Sequence, residues 1–536
     1  MSETRPATPA VENAAPDRGQ DWPFWLLMVG ILVLLMGMPL PITDGDPAYY
    51  AVVARDLLAS GDWLAFHADK PPLTTWLINL SFAVFGKSDW ALRAWHLALA
   101  LGTVAVTYAL ARLALPRRQS ALAALILLTA VQFFYQSLTP EQDIPLTLFV
   151  ALAVYGHLRW EREGRAGMCI LSWSSMTLAM LSKGLIGIAL PVMVVGAHLL
   201  IDRPALPKGA LRASALGALC FLVLAAPWFV LGALHLGRGF LDTFFLGGTL
   251  GVGRFFHQML FSPTTVSPWL GLGAYVIFLP LGVLPWTGWL WPALREGWDA
   301  RRARGSALWV CMLWVIVIFV FQSLAPGDKT IRYILPLFPP LAVLLGRAVA
   351  APRWARQAAW VSLVVALPWV AIIVVVLRGS VPGDLGKYAP LLLPFLAAFA
   401  LALAGYSLAT FADGTRWGVA VLVLVTLLAY VLLMSSIGRN WDQISPWRPA
   451  ARIIGELRAP KAPVLIAGPY SEFADYYIWR KPEFVGGDDL VHRWQEGSAI
   501  AVVPVSDLPR LTSPRPAIAV RIPTGLAVVT NFPPSP

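Results

Sequence analysis

Runs of roughly 20 apolar residues, separated by short loops that carry arginine and lysine, recur from Trp22 to Ile437. A helix rises about 1.5 Å per residue and a bilayer's hydrocarbon core is about 30 Å thick, so runs of this length suit membrane crossing. Lipid offers no partner for backbone N–H and C=O groups, so such runs must fold as helices. The chain is 57% hydrophobic and 13% charged, against about a quarter charged in a soluble domain. A water-soluble fold is therefore excluded. The net charge of +11 is not a nucleic-acid signal, because the basic residues lie in loops between apolar runs, where they set topology. Cys169, Cys220 and Cys311 sit inside apolar runs and read as packing residues rather than disulfide partners or metal ligands.

Residues 1–21 have no apolar core and are expected to form a disordered cytoplasmic tail. Spans are predicted near 22–42, 91–114, 119–138, 143–160, 168–182, 184–201, 212–235, 267–293, 306–324, 333–350, 355–377, 388–411 and 417–437. The run 72–86 is too short to cross in comfort. Leaving it out places Arg117 and Arg118, Arg162 and Arg165, Arg203, Lys208 and Arg212, Arg295 to Arg304, Arg353 and Arg356, and Arg416 all on the cytoplasmic side. The first outer loop, 43–90, then holds two interfacial amphipathic helices, at 48–58 and 72–86. The expected fold is an all-α polytopic membrane protein of about 13 transmembrane helices over 22–437. A small C-terminal α/β domain follows at 438–536, with strands read at 463–469, 499–505, 517–523 and 526–532. The reading places the chain in a bacterial inner membrane, with the N-terminus cytoplasmic and the last domain periplasmic.

The ionisable residues at the outer ends of these spans are costly there and mark a candidate site. They are Asp44, Asp46, Arg55, Asp69, Lys70, Glu141, Asp143, Lys183, Arg238, Arg254, His257, Lys329 and Arg332. Carboxylates can position or deprotonate an acceptor, and lysine and arginine can hold a phosphate. Beside apolar helices, the mixture suits a lipid that carries a phosphate. Plainer readings stand alongside. Asp46 before Pro47 is also a good helix start, with Asp46 as the cap. Tyr49 and Tyr50 fit an aromatic belt as well as a sugar pocket. Lys329 and Arg332 also suit lipid headgroups. The aromatic stretch from Tyr470 to Trp479 reads as a helix packed on its own sheet, with acceptor binding as the alternative.

The segment 44–86 carries Asp46-Pro47, Tyr49-Tyr50, Ala54-Arg55, Gly61-Asp62-Trp63 and Asp69-Lys70-Pro71-Pro72 in order. It resembles the first loop of the aminoarabinose-transferase and protein O-mannosyltransferase-like families of GT-C glycosyltransferases. The likeness continues through EQDIPLTLF at 141–149, SKGLIGIALP at 182–191, APWFVLG at 226–232, GRFF at 253–256 and KTIRYILPLFPPLAVLLG at 329–346. What the resemblance implies is an inverting transfer from a polyprenyl-phosphate sugar donor to a lipid, such as lipid A, or another cell-envelope acceptor. Asp46 and Asp143 would be the catalytic carboxylates, with Asp46 as base or positioning group. Lys70 and Arg254 would bind the donor phosphate. Asp44, Tyr49, Tyr50, Asp69, Lys183, Lys329 and Arg332 complete the candidate pocket. The families' Asp-Glu pair is Asp46-Pro47 here, and their metal-binding Glu-His is replaced around Gly247-Gly248, so a divalent metal is left open. Membrane lipids are expected neighbours and nucleic acid is not. The competing readings are a transporter or flippase of lipid-linked sugars and a protein O-mannosyltransferase.

Overall fold

The computed structural model describes residues 21–61, 64, 70–241, 268–325, 329–378, 385–457, 459, 461–512 and 514–532. In chain order the helices are α1 (Trp22–Leu35), α2 (Gly45–Ser60), α3 (Leu73–Phe85), α4 (Asp89–Ala111), α5 (Arg117–Thr129), α6 (Val131–Leu138), α7 (Asp143–Glu163), α8 (Ala166–Lys183), α9 (Ile186–Asp202), α10 (Ala210–Leu236) and α11 (Arg238–Leu241). There follow α12 (Pro268–Gly282), α13 (Leu290–Asp299), α14 (Ala307–Leu324), α15 (Phe338–Val349), α16 (Ala355–Leu377), α17 (Leu385–Asp413), α18 (Thr415–Asn440), α19 (Trp447–Glu456), α20 (Glu472–Ile478) and α21 (Gly487–Gln495). Among the described residues seven helical segments are long and apolar enough to cross a membrane, or up to nine if each of two bent pairs counts once.

The two bent pairs explain each other. The predicted spans 119–138 and 267–293 are not straight: α5 and α6 meet at 62°, and 273–282 meets 286–302 at 115°. A break frees backbone groups that lipid cannot satisfy. Here each break supplies the other. Val131 N–H, at the start of α6, donates to the Leu284 carbonyl at 2.8 Å. The Trp286 indole donates to Thr129 Oγ1 at 3.0 Å, and the Tyr430 hydroxyl donates to the Thr129 carbonyl at 2.8 Å. The residues around the small cavity beside the breaks, such as Ile126, Ala130, Val283 and Phe338, are all apolar.

The first outer loop contains α2 and α3, as the amphipathic patterns predict. The cap differs from the expected one. Asp44, not Asp46, starts α2: it is extended at φ −125° and ψ 144°, and its side chain accepts from Asp46 N–H at 3.2 Å. Asp46 falls within the first turn, which frees its carboxylate for other partners.

The C-terminal residues form a five-stranded sheet in the order β2-β1-β3-β5-β4. The strands are β1 (Val464–Ala467), β2 (Glu483–Val485), β3 (Ile500–Pro504), β4 (Ile518–Arg521) and β5 (Leu526–Thr530). β1 is parallel to β2 and β3, whereas β5 runs antiparallel to β3 and β4. Alternation sorts the faces: Val464 and Ile466 join the core under α19 and α20, while Leu465 joins the one under α21. The sequence reading lacked β2, a three-residue strand too short to show a pattern.

Helix α20 does not pack only on this sheet. It also docks on the outer-loop helices. Arg55 Nη1 of α2 donates to the Asp475 carbonyl at 3.1 Å and to its carboxylate at 2.7 Å. The Tyr476 and Tyr477 hydroxyls donate to Asp89 at 2.9 and 3.4 Å, and Tyr477 accepts from Ile42 N–H. The rings of Phe82 and Trp479 meet edge-on at 5.6 Å. The aromatic stretch is therefore not confined to its own sheet, and Tyr470 at its start is 51% exposed. The side chains of Arg55 and Asp475 are 8% and 10% exposed, and stripping a buried charge of its partner costs about 3–5 kcal/mol. Asp475→Ala is expected to lower the thermal midpoint of the purified protein; an unchanged melting curve would refute the contact's importance.

Candidate functional site

Four segments remote in sequence meet at one place: the start of α2, the turn from α6 into α7, the end of α8, and the 3-10 turn Ile331–Leu337. Arg332 is the hub. Its Nη1 donates to Asp46 at 2.8 Å and also to Glu141. Asp44, Asp46 and Glu141 each bring one carboxylate oxygen to within 4.8 Å of the others. Tyr135, at the end of α6, donates its hydroxyl to the second oxygen of Asp44 at 3.3 Å. Beside them Lys183 Nζ meets Asp143 at 2.6 Å and lies over the Tyr333 ring at 4.7 Å.

Exposure separates the carboxylates. The Asp46 side chain is 47% exposed, whereas Glu141 is 4% and Asp143 is 3%. Asp46 is thus the most exposed of these three carboxylates. Burial pushes the Glu141 carboxyl up to about 8; Asp143 adds to this, Arg332 opposes it, and Asp44 and Asp46 add further. Glu141 sits in the turn between α6 and α7, which follows the 62° bend after Thr129. The Arg332 Nε is buried without a hydrogen-bond partner among the described residues. The guanidinium therefore has one donor left unsatisfied.

Several predicted site residues lie elsewhere. Lys329 donates to the Gln322 and Ala325 carbonyls, so it closes the end of α14 rather than joining the carboxylates. Burial lowers its pKa. Tyr50 is 9% exposed in the core shared by α2 and α20, and Tyr49 packs beside it, their rings 5.5 Å apart. Arg332, read as a pocket or headgroup residue, lies at the centre. Lys70 immediately precedes the turn into α3. Asp69 and Arg254 lie outside the described residues, as does His257. Sequence reasoning missed Tyr135, although the polar letters of Gln132, Tyr135, Gln136 and Ser137 within an apolar run were a usable signal.

Three carboxylates are the oxygen donors that a hard divalent cation takes. Arg332 already binds two of them, so as arranged they do not fit a cation.

The dolichyl-phosphate-mannose-protein mannosyltransferase family matches residues 69–231. The undecaprenyl phosphate-alpha-4-amino-4-deoxy-L-arabinose arabinosyl transferase of Edwardsiella ictaluri is 29% identical over 335 residues, covering 60% of this chain and 58% of that protein. Its counterpart from Aeromonas hydrophila is 29% identical over 316 residues, covering 57% and 55%. The chain thus aligns with little more than half the length of these relatives. The crystal structure of ArnT from Cupriavidus metallidurans in the apo state matches with a TM-score of 0.74 at 23% identity, covering 96% of this chain and 99% of that one. The same protein bound to undecaprenyl phosphate matches at 0.76, with the same identity and coverage. The fold is that of ArnT, and the chain resembles the aminoarabinose transferases of the GT-C class. It is a multi-pass membrane protein of bacterial type.

Proposed function

We propose that this protein is a membrane glycosyltransferase that moves a sugar from a polyprenyl-phosphate donor to a lipid, such as lipid A, or another envelope acceptor. The observation that carries this reading is the meeting of Asp46, Glu141 and Arg332 from three distant segments, in a fold shared with a protein that binds undecaprenyl phosphate. Asp46 takes the proton from the acceptor's oxygen as that oxygen attacks the anomeric carbon. The bond from the anomeric carbon to the phosphate oxygen breaks, and its electron pair leaves with the polyprenyl phosphate. Attack from the opposite face inverts the centre. Arg332, Lys70 and Arg254 hold the developing phosphate charge. Asp143 acts as a positioning residue for Lys183.

In this reading 22–437 is the catalytic unit with about 13 crossings, the shorter helices included, and 438–536 is a periplasmic α/β unit. The N-terminus is cytoplasmic and the site faces outward. Ala65→Cys is expected to react with an impermeant thiol reagent added to intact cells; reaction only after lysis would reverse the topology. The functional test is sugar release in membranes supplied with a panel of polyprenyl-phosphate sugars. Lys70→Ala is expected to raise the donor's apparent KM, and an unchanged KM would remove Lys70 from the phosphate site.

The paired broken helices are a feature that a flippase would share. Their breaks, however, are closed by neutral groups, Thr129, Trp286 and Tyr430, beside an apolar cavity, and the charges gather around Arg332 instead. A flippase would move the donor across vesicles without releasing sugar, and the same assay separates the two.

A further inference from the structure

Far from Arg332, at the other end of α7, two helices present matching pairs. His157 and Glu161 lie four residues apart on α7, and His198 and Asp202 lie four apart on α9. That spacing sets each pair on one helical face. His157 is about 14 residues, or about 21 Å along the helix, from Asp143. We propose that these residues form a zinc site that ties the ends of α7 and α9 together, with His157, Glu161 and His198 as ligands and Asp202 behind them.

The geometry is that of a metal site with its supporting shell in place. One ligand atom each from His157, Glu161 and His198 lies within 4.8 Å of the others. His198 Nε2 is 2.8 Å from Glu161 Oε2, and its Nδ1 is 2.7 Å from Asp202 Oδ2. A histidine that binds metal through one nitrogen commonly gives its other N–H to a carboxylate, which fixes the ring and its tautomer. Asp202 is itself fixed, by the Trp309 indole of α14 at 3.0 Å.

The second, independent observation is His157. It is 8% exposed, and its Nε2 is buried without a hydrogen-bond partner among the described residues. Its ring lies 6.3 Å from that of His198. A buried imidazole nitrogen left unpaired is costly unless something binds it. Two imidazoles and one carboxylate match zinc's preference for nitrogen and oxygen ligands, with a water as the fourth.

The test uses the full-length protein, stripped with chelator and then titrated with Zn2+ or Co2+. The expected result is about one equivalent retained per chain after gel filtration, with Co2+ giving the visible ligand-field bands of a four-coordinate site. His157→Ala is expected to lose that equivalent, and Asp202→Asn to weaken it by about 10–100-fold. Glu141→Gln, in the distant carboxylate cluster, is expected to keep it. If His157→Ala does not fold, His157→Cys decides, because a thiolate ligand adds a sulfur-to-cobalt charge-transfer band. Failure of the wild type to retain metal, retention by folded His157→Ala, loss in folded Glu141→Gln, or no charge-transfer band in folded His157→Cys would each overturn the proposal.

Discussion

Asp46→Asn is expected to slow sugar transfer by about 10²–10⁴, with the fall in kcat and little change in the donor's KM. Asparagine keeps the size of aspartate, and its amide oxygen can still accept from Arg332, which meets Asp46 at 2.8 Å. The cluster therefore stays assembled while the group that accepts the acceptor's proton is lost. Steady-state kinetics on the folded variant separates this from a binding defect. A variant with wild-type kcat would remove Asp46 from the chemistry.

Arg332→Ala is expected to act on stability and on activity together. Glu141 would be left buried beside Asp143 without the guanidinium that pairs with it, so the melting temperature is expected to fall. The pH dependence follows from Glu141, whose folded value of about 8 lies above the ordinary carboxylate value of 4.5. Stability from its protonated form is complete below the unfolded value and is lost as pH rises through about 8. Removing Arg332 takes away an opposing charge, so the variant should melt lower at pH 8 than at pH 6 by a wider margin than the wild type does. Adding Glu141→Gln removes the stranded acid and is expected to restore most of the melting temperature but not the transfer rate. Melting with the same pH slope as the wild type would refute the coupling; recovery of transfer by the double variant would take Arg332 out of phosphate binding.

The helices of the first outer loop were legible because their apolar residues repeat at helical spacing over a stretch too short to span. Four of the five strands of the sheet were legible as short apolar runs, and β2 was not. Arg332 was not legible as the hub, because its carboxylate Asp46 is 286 residues away and no local pattern encodes that pairing. The choice of cap between Asp44 and Asp46 rested on the dihedral angles of Asp44, which both readings of the letters allow. The break after Thr129 has no glycine or proline to announce it; its signal is the Leu284 carbonyl, supplied by another helix. The target of α20 was hidden for a similar reason, since an aromatic face does not specify which apolar surface it will meet.

The handshake between Asp475 and Arg55 makes the last part of the chain a rudder for the reaction. A protein cut short just after Asn440 would keep every long apolar helix, and α2 would keep α3 and Arg332 but lose the anchor at Arg55. Asp46 rides on the front of that helix, so on the proposed mechanism such a truncated enzyme is expected to hold its base less firmly.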